Sequence, residues 1–154
     1  MDEALAVDGA APPTPDAPAA SSVRAYPRHW EADVVASDGG VVHLRPILPS
    51  DADAIVDFHS RLSDRTRYLR YFGAYPEIPP RDLERLTVVD HHARVALVVL
   101  LADEVIAVGC YEGTLGPDGI EIVGPAEVAF VVRDDHQSRG LGSILLEHLA
   151  AAAR

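Results

Sequence analysis

Residues 126–152 hold the most restrictive pattern in the chain. The run AEVAFVV (126–132) has the length and composition of a strand, and the polar turn RDDHQSR (133–139) follows it. Gly140-Leu141-Gly142 then opens a segment in which Leu141, Ile144, Leu145, His148, Leu149 and Ala152 recur at helical spacing, predicting a helix over 141–153 with one face on a sheet. A strand feeding directly into such a helix commits the chain to layered α/β packing. Gly140 and Gly142 lack a Cβ and let a ligand approach the backbone closely. A helix start presents unpaired N–H groups and the positive end of its dipole, so a phosphate group is expected there.

The remaining pattern agrees with an α/β chain. Val34-Val35, the turn Asp38-Gly39-Gly40, and residues 41–45 (VVHLR) read as a short hairpin. Ser50 is the expected N-cap of a helix with Ala52, Ile55, Val56, His59 and Leu62 on its apolar face. Ser63-Asp64 caps a second helix stopped by Gly73, and Pro79-Pro80 opens a third that carries Leu83, Leu86 and Val88. The apolar run 94–101 (RVALVVLL), the turn Ala102-Asp103-Glu104 and the stretch 105–114 then predict an antiparallel pair. Residues 1–32 read as an Ala/Pro-rich tail, disordered to about residue 25, because Pro12, Pro13, Pro15 and Pro18 come with no aromatic before Tyr26; residues 26–30 (YPRHW) are where the chain is expected first to touch the domain, which occupies 33–154.

Totals exclude several classes of function. The net charge of -11 argues against a nucleic-acid partner and favours a cationic one. With Cys110 as the one cysteine, there is neither an intramolecular disulfide nor a cysteine cluster for zinc, which fits a cytoplasmic location. No apolar run approaches the roughly 20 residues of a membrane span, and no metal site is expected: Asp90-His91-His92 reads as a solvated turn.

The loop is not that of a nucleoside triphosphatase, since no Lys follows its glycines, and it lacks the third glycine of GxGxxG. Gln137-x-x-Gly140-x-Gly142 instead resembles the [RQ]xxGxG/A motif of the GNAT superfamily of N-acetyltransferases. The resemblance implies a central mixed, mostly antiparallel sheet flanked by helices, and acetyl-CoA as co-substrate. It implies a pyrophosphate cradle built by the backbone of Ser138, Arg139, Gly140, Leu141, Gly142 and Ser143 after Gln137. It also implies that Phe130, Val131 and Val132 hydrogen-bond the pantetheine arm and the thioester.

Glu127 is the expected general base. It is a carboxylate among apolar neighbours on what reads as a central strand, costly there without a partner or a task. A lysine ammonium, with a pKa near ~10.4, cannot attack a thioester before losing a proton. The alternative is a structural pair with a strand neighbour such as Arg94. Cys110 reads as a core thiol and His136 as a surface histidine beside the loop.

Residues 42–46 (VHLRP), 62–72 (LSDRTRYLRYF) and 126–130 (AEVAF) further resemble bacterial Pat-type protein lysine acetyltransferases, over roughly residues 41–154. That resemblance implies a lysine of an AMP-forming acyl-CoA synthetase as acceptor, and a domain often fused to another. It places the 62–72 segment on the acceptor side, although Tyr68, Leu69 and Phe72 at helical spacing also read as core. The chain stops just after the cofactor-loop helix, where a GNAT domain continues, so the domain is expected to be incomplete at its C-terminus. Two other readings stay open: acetylation of a small amine, and a non-catalytic acetyl-CoA sensor.

Overall fold

Alternating apolar stretches of strand length dominate the chain, and they assemble into one five-stranded sheet. The computed structural model describes residues 24–154; the tail expected before Arg24 lies outside them. The strands are β1 (Ala32–Val35), β2 (Val41–Pro46), β3 (Arg94–Leu101), β4 (Glu104–Leu115) and β5 (Ile122–Val132), in the order β1-β2-β3-β4-β5. All four pairings are antiparallel, so the parallel member of a mixed sheet is not present among the described residues. The helices are α1 (Ala52–Ser60), α2 (Asp64–Tyr71), α3 (Pro80–Thr87) and α4 (Leu141–Ala152).

β3 and β4 are apolar on both faces because both faces are covered. One core joins Leu44, Val95, Leu97 and Ile106 to Leu141, Leu145 and Leu149 of α4. The other joins Ile47, Ala96, Val98 and Val108 to Ile55, Phe58 and Leu62 of the α1 region. Gly109 on β4 lets α4 lie close, since a Cβ there would meet Leu145 and Leu149 at 3.2 Å.

Several boundaries differ from the sequence expectation. Residues 24–31 rest on the domain: the Arg24 N–H donates to Asp90 O at 3.1 Å, the Tyr26 hydroxyl to Pro46 O at 3.2 Å, and Trp30 packs on the core. Ser50 does not cap α1. Asp51 takes that place in the fold, accepting from Leu48 N–H at 2.7 Å and pairing with both terminal nitrogens of Arg45 at 2.8 Å. On α1 it is Phe58 that is buried, while Val56 is exposed, because β4 lies under the Ile55–Phe58–His59 side of the helix. Ser63 caps α2 as expected, its Oγ accepting from Thr66 N–H at 3.1 Å. The left-handed residue that ends α2 is Phe72, with φ 56°, rather than Gly73. Asp90 is buried rather than solvated, and its carboxylate accepts from the N–H groups of His92 and Arg94 at the entry to β3.

Candidate active site

β5, which bears Glu127 and Phe130, is the outer strand of the sheet among the described residues. Its free edge bears backbone N–H and C=O groups with no strand partner among the described residues. A groove of about 900 Å³ runs along it, lined by Thr66, Leu69, Arg70 and Phe72 of the α2 side, by residues 127–132 of β5, and by Asp134 and Gln137 of the loop. Of the expected pantetheine contacts, Phe130 is exposed along the groove, Val131 packs toward the α1 core and Val132 toward the α4 core.

At one end of the groove lies the start of α4. Gly140 is its N-cap with φ 77°, a conformation that favours glycine, and no side chain caps the helix. Leu141 is buried in the core and fixes the first turn, while Ser143 is exposed. Gly142 has a second reason to be glycine: a Cβ there would meet the Phe130 ring at 3.0 Å. The ring therefore stacks directly on the first helical turn. Ser138 is also left-handed, with φ 63°, so the loop departs from helical geometry before Gly140.

The loop's polar side chains brace it. Gln137 Nε2 donates to Val132 O at 3.1 Å and to Thr66 Oγ1 at 3.3 Å, tying loop, strand and α2 together. Arg139 is held by Asp38, at 2.7 Å from Nε to Oδ2, and its carbonyl accepts from Ser37 N–H at 2.9 Å. The Gln137 and Arg139 side chains are thus engaged away from the start of α4. His136 is not a free surface histidine; its ring nitrogens lie 3.0 Å from Arg133 and 2.8 Å from Arg139.

Two contributors escaped the sequence reading. Asp134 accepts from Ser63 N–H at 2.9 Å, from Ser63 Oγ at 2.6 Å and from Thr66 Oγ1 at 2.7 Å, so it clamps the start of α2 to the loop. Burial raises its carboxyl, but those hydrogen bonds outweigh it and hold the group below its ordinary value. Arg133 is buried and bonds Asp135 through two nitrogens, at 2.7 and 3.0 Å, and Glu104 at 3.2 Å. No local pattern signals Asp134, since its partners lie 71 and 68 residues away.

At the other end of the groove is Glu127. It stands opposite Glu112 in the register, where the pairing resumes after an irregularity at Gly113. Glu127 is exposed, and Arg94 lies across from Glu112, one strand further on. Among the described residues β5 has a strand on one side only, which leaves Glu127 out of the desolvated setting expected for it, and Glu112 stands between Glu127 and Arg94, its alternative partner. The 62–72 segment proves to wall the groove. Tyr68, Leu69 and Phe72 are exposed rather than core, and Tyr71 is the aromatic that turns inward, stacking on Tyr75 at 4.4 Å. Cys110 is half-buried, and burial pushes its thiol up.

The acetyltransferase (GNAT) family matches residues 60–154. The chain belongs to that family. Its GNAT fold is close to the crystal structure of the GNAT domain of PAT from S. lividans, with a TM-score of 0.76 and 45% identity over 84% of this chain and 75% of that one. An acetyltransferase of Pseudomonas aeruginosa is 31% identical over 82% of the chain and 66% of its own length. Acetyltransferase Pat of Mycolicibacterium smegmatis is 35% identical over 72% of the chain. The chain therefore spans about two-thirds of one of these relatives and 32% of the other.

Acetyl-CoA fits the residues present. The free backbone edge of β5 can take an extended arm as a strand takes its neighbour. The uncapped first turn of α4, with a left-handed glycine at its start, leaves N–H groups for an anion. No helix among the described residues is long and apolar enough to cross a membrane.

Proposed function

We propose that the protein is an acetyl-CoA-dependent N-acetyltransferase that acts on a lysine side chain of a protein, with an AMP-forming acyl-CoA synthetase as the acceptor class, in the cytoplasm. The observation that carries this reading is the groove along the β5 edge, which holds the Glu127 carboxylate and, through Phe130 packed on Gly142, adjoins an uncapped glycine-bearing helix start. The 45% identity to a PAT GNAT domain supports the protein-lysine acceptor over a small amine.

In this reading the N–H groups of residues 138–143 hold the pyrophosphate, and the Phe130 ring buttresses the helix start from below. The β5 edge at residues 130–132 orients the pantetheine arm. Acetyl-CoA, when bound, supplies the thioester carbon that the amine attacks. Glu127 Oε takes the proton from the acceptor ammonium, directly or through a water, because only the neutral amine carries a lone pair to donate.

Glu127→Gln tests this assignment. The amide keeps the shape but accepts no proton near neutral pH, so kcat is expected to fall by about 10²–10⁴-fold with acetyl-CoA affinity retained. The loss should shrink as pH rises and more amine is already neutral. Wild-type kcat/KM at pH 7 would make Glu127 structural. A parallel fall in acetyl-CoA affinity would mean that the carboxylate holds the strand.

A further inference from the structure

Beside the groove lies a second pocket, of about 260 Å³, between α2, α3 and the β3–β4 hairpin. Its charged lining is Arg70, Arg85, Arg94, Asp82 and Glu112. These charges are unequal in what they already hold. Arg85 is paired with Glu112, and Asp82 accepts from the Tyr75 hydroxyl. Arg94 donates to Val88 O at 3.4 Å, and Arg70 lies over the Tyr71 ring at 4.9 Å; neither has a carboxylate partner among the described ion pairs. Two guanidinium groups in one pocket, each without a counter-ion, is an unusual feature in a chain of net charge -11. Such a pair favours a carboxylate, which guanidinium binds with matched geometry.

Position says whose carboxylate it is. Arg70 lines both this pocket and the Glu127 groove, so the two spaces adjoin. Along the register, Glu127 faces Glu112 and Glu112 faces Arg94. Two strand spacings separate Glu127 from Arg94, about 10 Å. That is roughly the span of three residues of extended peptide. A peptide whose lysine ammonium reaches Glu127 and whose backbone crosses the strands thus has the reach to bring a neighbouring side chain to Arg94. Glu112 and Asp82, already engaged, leave the net charge of the lining at one positive unit.

We propose that this pocket is a specificity subsite for an acidic side chain of the acceptor, within about three residues of the target lysine, held by Arg70 and Arg94. The inference rests on the lysine-acceptor reading above and adds a sequence preference to it.

The test compares peptides that hold one lysine and differ at the position two residues away, as Glu, Gln or Arg, with CoA release followed on the purified protein. A charge-assisted contact at a partly exposed site predicts kcat/KM about tenfold higher for the Glu peptide than for Gln. Arg94→Gln should bring that ratio toward one, and Arg94→Glu should shift the preference to the Arg peptide. The ratio is internal to each variant, so a partly unfolded variant still reports it. A wild-type ratio near one, or a ratio unchanged in both variants, overturns the subsite while leaving the lysine-acceptor reading intact. Acetylation of none of the peptides, with acetyl-CoA still bound, overturns that reading and the subsite with it.

Discussion

Asp51 shows how one side chain carries a junction. It is buried, it meets Arg45 through both oxygens at 2.8 Å, and it caps the Leu48 N–H. Removing one member of a buried pair leaves the other charge uncompensated, so Asp51→Ala is expected to cost about 3–5 kcal/mol in denaturant unfolding at pH 7. Burial raises the Asp51 carboxyl, but Arg45 and the Leu48 N–H outweigh it and hold the group below its ordinary value. The folded pKa thus lies under the unfolded one, near ~3.9. The contribution is fully present above that value and is lost as pH falls through the folded pKa. The gap between wild type and Asp51→Ala should therefore be constant from pH 7 to 5 and shrink below about pH 4. A gap that stayed the same at acid pH would show that the ion pair is not what Asp51 supplies.

At the scale of elements, two helix starts decide the groove. For α4, Gly140→Ala adds a Cβ at φ 77° with nothing closer than Ser37 Cβ at 3.7 Å. Strain alone should then lower stability by about 1–2 kcal/mol. Gly140→Asp adds the same strain and an anion at the helix start, so calorimetry should find acetyl-CoA binding weakened in Ala but lost in Asp. Equal affinities in the two would separate the phosphate site from Gly140. For α2, the start is capped by Ser63 and clamped by Asp134 from across the groove. Thr66→Val removes one donor to Asp134 and one of the two acceptors of Gln137 while keeping the volume. Amide exchange of α2 should speed up in that variant, with α4 unaffected; equal rates in wild type and variant would make the clamp idle.

On the scale of the molecule, the sheet is a partition with a different task on each face. α4 seals one face with Leu141, Leu145 and Leu149, which sets where its N-terminus meets the groove. Leu145→Ala, at a fully buried position, should cost about 2–5 kcal/mol. Because α4 is one rigid piece, the same change is expected to weaken acetyl-CoA binding, although Leu145 lies away from the groove; calorimetry alongside thermal unfolding would show both losses, and an unchanged affinity would mean that the loop positions itself. The opposite face carries α1, α2 and α3, and with them both the groove wall and the arginine pocket.

What the sequence determined by itself is local. The β3–β4 hairpin, the strand ending at Val132 and the helix from Leu141 follow from side-chain periodicity within a dozen residues. The proposed anion site follows from two glycines at a helix start, which is backbone chemistry and needs no partner. Tertiary structure decided everything that depends on which strands are neighbours. Glu127 faces Glu112 instead of Arg94 because β4 stands between β3 and β5. Asp134 finds Ser63 and Thr66 only because α2 folds across the end of β5. Phe72 and Leu69 share the spacing of core residues, yet they are exposed, since helical period says which residues share a face but not what covers it.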